Sequence, residues 1–209
     1  MYGFVLMFWG QDLLAQRDTL REVLFPYQKG YHQTFTGFRL TEASGTKVPV
    51  HFYQEVAEDS IIDDRYRKFL FYTYSEIGKA PMKGYYYLTH DVSGTYRWHA
   101  GSEWHYILVP SVLYKGLKWK TKQAGQKYYH QIVKTDTIIE TPFGSHRCFV
   151  VRSDVLNQYF EGRKHRSATW DFYDTTLGKV KSVTITWLGK GRKEVFRELI
   201  ELTDYGIGK

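Results

Sequence analysis

The tetrapeptide Thr141-Pro142-Phe143-Gly144 constrains this chain more than any other feature. Proline pre-sets φ at the second position of a reverse turn, and glycine is favoured at the fourth. Ile138 and Ile139 stand before the turn, and Cys148, Phe149, Val150 and Val151 stand after it. Two apolar runs leaving a tight turn make an antiparallel hairpin. Upstream, Leu117 and Trp119 alternate with Lys118 and Lys120, the period of two that a strand with one wet face requires.

The same period recurs along the chain. Tyr31, Gln33 and Phe35 alternate with His32, Thr34 and Thr36, and a turn at Ser44-Gly45 leads to a second strand over 48–56. Glu58 to Asp64 reads as a solvated acidic connection, without the glycine and ligand spacing of a calcium loop. Residues 65–75 are apolar on both faces and predict a central strand. Three short strands over 85–88, 95–99 and 104–109 follow, separated by Ser93-Gly94 and Ala100-Gly101-Ser102. Ala168, Trp170 and Phe172 alternate with Thr169, Asp171 and Tyr173, and Val183, Ile185 and Trp187 alternate with Ser182, Thr184 and Thr186. Arg192 to Leu202 fits a helix on spacing, while the Gly189-Lys190-Gly191 turn before it favours a final strand. Arg17 to Phe25 has apolar residues at helical spacing and stops at Pro26. Ser153-Asp154 would cap a short helix carrying Val155, Leu156, Tyr159 and Phe160 and ending at Gly162.

These residues also carry a resemblance. Leu108-x-Pro110, Gly116-x-x-Trp119, the hairpin Glu140-Thr-Pro-x-Gly144-x-x-x-Cys148, then Tyr173, Gly178 and Val180, and a closing Glu198-Leu199 resemble the bacterial TapB-like family, which overlaps domain of unknown function 3108. The likeness covers roughly residues 27 to 203. Thr176-Leu177-Gly178-Lys179-Val180 departs slightly from the family's glycine phrase, and 153–166 does not align. The resemblance implies a LolA-like fold, a curved antiparallel sheet or half-barrel with an apolar concave side, and supplies no catalytic residues. The expected fold is therefore all-β and mainly antiparallel. About ten strands curve into a half-barrel, with one or two short helices on the concave face.

Length and composition set the outer limits. The chain has 209 residues and 18% aromatic content, which fits one well-packed domain rather than disorder. Its formal net charge is +7, a moderate excess compared with the clustered basic stripe of a nucleic-acid binder. Lys115, Lys118, Lys120, Lys122 and Lys127 gather near one hairpin, and Arg163, Lys164, His165 and Arg166 near another. Lysines on strand edges prevent edge-to-edge association, and beside aromatics they also suit a single-stranded polyanion. The solvated-edge reading is the commoner one.

Residues 1 to 16 hold an apolar run from Phe4 to Trp9, too short to span a bilayer as a helix. They read as a remnant of a secretory signal ending near Ala15 or Gln16, or as a docked N-terminal helix. Residues 17–209 read as a single β-rich domain, periplasmic or associated with the outer membrane.

Little catalytic chemistry is legible. Cys148 is the one cysteine, which excludes an internal disulfide, and its mid-strand place makes it a small buried hydrophobe. His90 or Asp91 with His99 and His105 is a weak candidate for a metal site. Phosphate loops, nucleophile elbows and dinucleotide fingerprints are absent from the sequence, and no cofactor is expected. The expectation is a non-enzymatic binder of a lipid or hydrophobic peptide, with membrane association in view. A nucleic-acid or polyanion module is the alternative, and a hydrolase the third. Trp104, Tyr106, Trp119, Trp170, Phe172 and Trp187 are the candidate ligand wall, because each sits on an alternating strand. Filling a closed core is their ordinary role.

Overall fold

A computed structural model of the protein describes residues 29–42, 45–62, 65–76, 79–91, 94–99, 105–123, 125–160, 163–189 and 193–208. Its strands are β1 (Tyr31–Thr41), β2 (Lys47–Ile62), β3 (Arg65–Glu76), β4 (Met82–Asp91), β5 (Gly94–His99) and β6 (His105–Pro110). They continue with β7 (Lys118–Gln123), β8 (Gln126–Thr141), β9 (Gly144–Phe160), β10 (Arg163–Asp174), β11 (Gly178–Leu188) and β12 (Glu194–Ile207). All belong to one antiparallel sheet ordered β6-β5-β4-β3-β2-β1-β12-β11-β10-β9-β8-β7. Two meanders are thus zipped together where β1 pairs with β12.

Strands β6 and β7 end the order, yet they lie side by side. The Trp119 indole N–H on β7 donates to the Ile107 carbonyl on β6 at 3.2 Å. The sheet therefore curls until its edges nearly meet, giving an almost closed barrel.

The inside of the curl is packed at one end. Leu70 and Leu88 meet Phe149, Val151 and Tyr173 from the opposite wall in one apolar cluster. The Phe149 and Tyr173 rings stack at 5.2 Å. A second cluster joins Phe35 and Val50 to Cys148, Val180 and Leu202. Two inward glycines permit close approach. A Cβ on Gly37 would collide with the Leu199 carbonyl, and one on Gly84 would meet the Tyr72 ring.

The all-β expectation holds, with twelve strands rather than about ten. No helix occurs among the described residues. The helix expected after Ser153-Asp154 is instead the second half of β9, paired with β10 from Phe160↔Arg163 to Cys148↔Asp174. A register shift between His165 and Ser167 absorbs the break in alternation that imitated helical spacing. The acidic connection over 58–64 is a second correction. β2 continues to Ile62, which pairs with Arg65 on β3, after a shift between Val56 and Glu58. Arg192 to Leu202 resolves in favour of strand β12. The segments 1–16 and 17–25 lie outside the described residues.

Candidate functional site: a polar belt inside the barrel

Strand registers trace one continuous row around the inner wall. Arg39 faces Glu198, Glu198 faces Thr184, Thr184 faces Thr169 and Thr169 faces Ser153. Ser153 then faces His130, and His130 faces Trp119. Period two puts this row on the core side, because Ser153 shares a face with Phe149 and Val151, and Thr169 with Tyr173. Phe149, Val151 and Tyr173 belong to the packed cluster.

Neighbours in the row are tied by side-chain hydrogen bonds. Thr169 and Thr184 hydroxyls lie 3.0 Å apart, and Ser167 and Thr186, one step towards the start of β10, lie 2.8 Å apart. His130 is clipped at both ring nitrogens, with Nδ1 at 2.8 Å from Ser153 Oγ and Nε2 at 2.8 Å from Thr121 Oγ1. Its ring stacks on Trp119 at 5.1 Å. Burial lowers the His130 pKa to about 4, opposed in part by the negative charge of Asp171. The imidazole is therefore neutral at physiological pH, one nitrogen donating and the other accepting.

At the other end of the row the Arg39 guanidinium donates to Glu198 at 3.2 and 2.9 Å and to Glu76 at 2.8 Å. Tyr74 O–H donates to the same Glu198 oxygen at 2.9 Å, and the Arg39 Cζ lies 5.2 Å from the Tyr74 ring centroid. Burial, followed by the Glu198 carboxylate, pushes the Tyr74 hydroxyl well above its ordinary range. Here the row presents fixed charge, and across β11 to β8 it presents hydroxyls and a neutral imidazole, with the Asp171 carboxylate one step along the same face of β10.

Within the packed core a buried amide chain runs between the two apolar clusters. Tyr86 O–H donates to Gln54 Oε1 at 2.8 Å, and Gln54 Nε2 donates to Gln33 Oε1 at 2.5 Å. Gln33 Nε2 donates onward to the carbonyls of Leu177 and Lys179 at 2.8 and 3.1 Å. Gln33 is fully buried at 0% exposure, and the bonds that join Tyr86, Gln54 and Gln33 are buried with it.

The expected ligand wall is only partly inside. Trp119 packs against the first cluster, while Phe172 shares the Trp170 face of β10 by its register and still packs against the second cluster. Trp170 and Trp187 share a face with each other and not with Thr169. On that outer face Arg152 lies over the Trp170 ring at 5.3 Å. Apolar alternation on β10 and β11 marks a sidedness, but it does not say which side turns inwards. Trp104, and the side chain of Tyr106 on β6, lie outside the described residues, as do the side chains of His90, Asp91, His99 and His105. Cys148 is buried at 1% exposure, and burial raises its thiol pKa to about 12, so it is not a thiolate. Among the described residues no cluster of metal-ligating side chains forms.

The sequence matches no protein-family model and no curated protein. The TapB-like resemblance thus stands on its short motifs. Solved structures share the fold. A candidate exported protein with a YmcC-like fold from Bacteroides fragilis superposes with TM-score 0.60 at 14% identity, covering 88% of this chain and 99% of its own. A candidate lipoprotein from Parabacteroides distasonis gives TM-score 0.57 at 13% identity, covering 88% and 98%.

Proposed function

We propose that this protein is a non-enzymatic binding protein of the bacterial envelope, whose barrel takes the polar head of an amphiphilic lipid against the inner belt. The carrying observation is the row of inward hydroxyls from Ser153 to Thr184, with Asp171 and Ser182 as the next inward pair on β10 and β11 and the packed apolar clusters beyond them. A wall of neutral donors and acceptors beside Trp119 and Arg39 suits a headgroup with an attached apolar chain. It does not suit a wholly apolar ligand, which would leave the belt hydroxyls without solvent. The fold neighbours described as an exported protein and a lipoprotein support the envelope location. The double clip on His130 supports binding over catalysis. Both ring nitrogens are held by hydroxyls, and no carboxylate is hydrogen-bonded to the ring as the orienting group of a catalytic base would be.

Native mass spectrometry of protein extracted from cells tests the reading. A copurifying amphiphile is expected on the wild type. It should be depleted on a Thr169→Val, Thr184→Val double variant, which removes both members of one hydroxyl pair and should change stability little. A wild-type protein that carries nothing and takes up no added phospholipid would end the proposal.

A further inference from the structure

The charge of this protein is not evenly spread. Lys118, Lys120 and Lys122 project from one face of β7, and Lys127 lies directly opposite Lys122 on β8. All four are exposed. Moving along the same outer face, Arg152 lies across from Gln131, and Arg166 and Lys164 continue it on β10. On these rows Asp154 is the one carboxylate among the described residues, and it is already held by Arg152 at 2.8 Å and Arg166 at 3.1 Å. Seven basic side chains thus share one outer patch with a single neutralised acid, in a chain whose whole formal charge is +7. Two lysines set directly opposite repel one another. Edge protection alone would need no such concentration, because β7 is already covered at Trp119 by β6.

We propose that this patch docks the protein on an anionic lipid surface. Two of the outer rings count against a nucleic acid. Lys120 Nζ lies over Tyr129 at 5.5 Å and Arg152 over Trp170 at 5.3 Å, so one face of each ring is already covered by one of the protein's own cations. Long lysine stems ending in point charges, next to the half-buried apolar residues Trp170, Val183 and Leu199 of the same outer face, instead match a headgroup layer. Each basic residue near such a surface strengthens binding about fivefold, and salt weakens it within a Debye length.

Cosedimentation with vesicles tests this on the full chain. Binding is expected to vesicles of phosphatidylcholine with phosphatidylglycerol and not to pure phosphatidylcholine, and it should fall as salt rises. A variant with Lys118, Lys120, Lys122 and Lys127 all changed to Gln should lose more than 100-fold in partition, roughly what four fivefold factors predict. Its melting temperature should stay at or above the wild type, since a like-charge pair is relieved. Changing Lys29 and Lys83 to Gln removes equal charge per residue elsewhere and should cost little. Equal binding to neutral vesicles, or an unaffected quadruple variant, would overturn the proposal. So would tighter binding to a single-stranded oligonucleotide than to the anionic vesicles.

Discussion

Replacing Gln33 with Leu should damage the protein far more than its modest chemistry suggests. The side chain is fully buried at 0% exposure, and it makes three hydrogen bonds, two donated to Leu177 and Lys179 carbonyls and one accepted from Gln54. Leu177 keeps a second donor, because Tyr31 O–H reaches the same carbonyl at 3.2 Å. The Gln54 amide loses its acceptor outright. Three lost bonds at about 1 kcal/mol each, with a further ~1 to 3 kcal/mol for a stranded buried donor, are set against a small apolar gain from leucine. The net expectation is a loss of about 3 to 5 kcal/mol, which for a chain of this size lowers the melting temperature by roughly 6 to 20 °C.

Urea unfolding gives the test, with the midpoint falling at constant slope. Gln54→Leu should cost about 2 to 3 kcal/mol by the same reasoning. The double variant should then be less damaging than the sum of the two by about 1 to 2 kcal/mol, because the Gln33–Gln54 bond is lost only once. Gln126→Leu is the control, since that amide bonds Leu156 in an exposed position and should change stability by less than about 0.5 kcal/mol. A Gln33→Leu cost below 1 kcal/mol, or strict additivity with Gln54→Leu, would refute the idea of a connected buried chain.

Other consequences are quicker to check. Cys148, whose thiol burial raises to about 12, should resist iodoacetamide at pH 8 in the folded protein and react fully only in denaturant. Below pH 6.5 the unfolded chain protonates a histidine that folding keeps neutral until about pH 4. Stability should therefore fall as pH drops through that window, by up to about 1.4 kcal/mol per pH unit, and His130→Gln should flatten the slope in urea melts at pH 7, 6 and 5. Gly37→Ala should fail to accumulate as folded protein, because the new methyl meets the Leu199 carbonyl on the neighbouring strand and backbone cannot yield cheaply there. Recovery of a soluble Gly37→Ala protein with wild-type stability would contradict that contact.

The strands were legible in the sequence wherever burial alternates cleanly, as at Tyr31, Gln33 and Phe35 or along β11. Val155 to Phe160 imitates a helix because a bulge adds one residue to β9 within a period of two, and the resulting apolar spacing resembles 3.6. Phase was the deeper obstacle. On β10 both Trp170 and Tyr173 are aromatic, and only the closing of the sheet decides that the Thr169, Asp171, Tyr173 face turns inwards. The belt was hidden for the same reason. Its members come from seven strands, so Arg39, Ser153 and Glu198 have no common motif, and serine and threonine on a strand ordinarily mark the wet side.

Trp119 belongs to both the belt and the seam, which makes it the residue that connects ligand and closure. Its ring stacks on His130 inside the barrel, while its N–H crosses to the Ile107 carbonyl on the other edge strand. Trp119→Phe keeps an aromatic face for His130 and deletes the donor. The global cost should be small, about 1 kcal/mol for one neutral hydrogen bond plus the lost ring area. The local effect should be larger, because β6 is paired to the rest of the sheet through only one neighbour, β5. Amide hydrogen exchange should therefore quicken over β6 and β7 while β1, β12 and β11, paired on both sides, keep their protection. If exchange instead rises evenly over all strands, the edges are not a separable unit and Trp119 acts only as core. If exchange does not change in β6, the indole bond does not hold the seam.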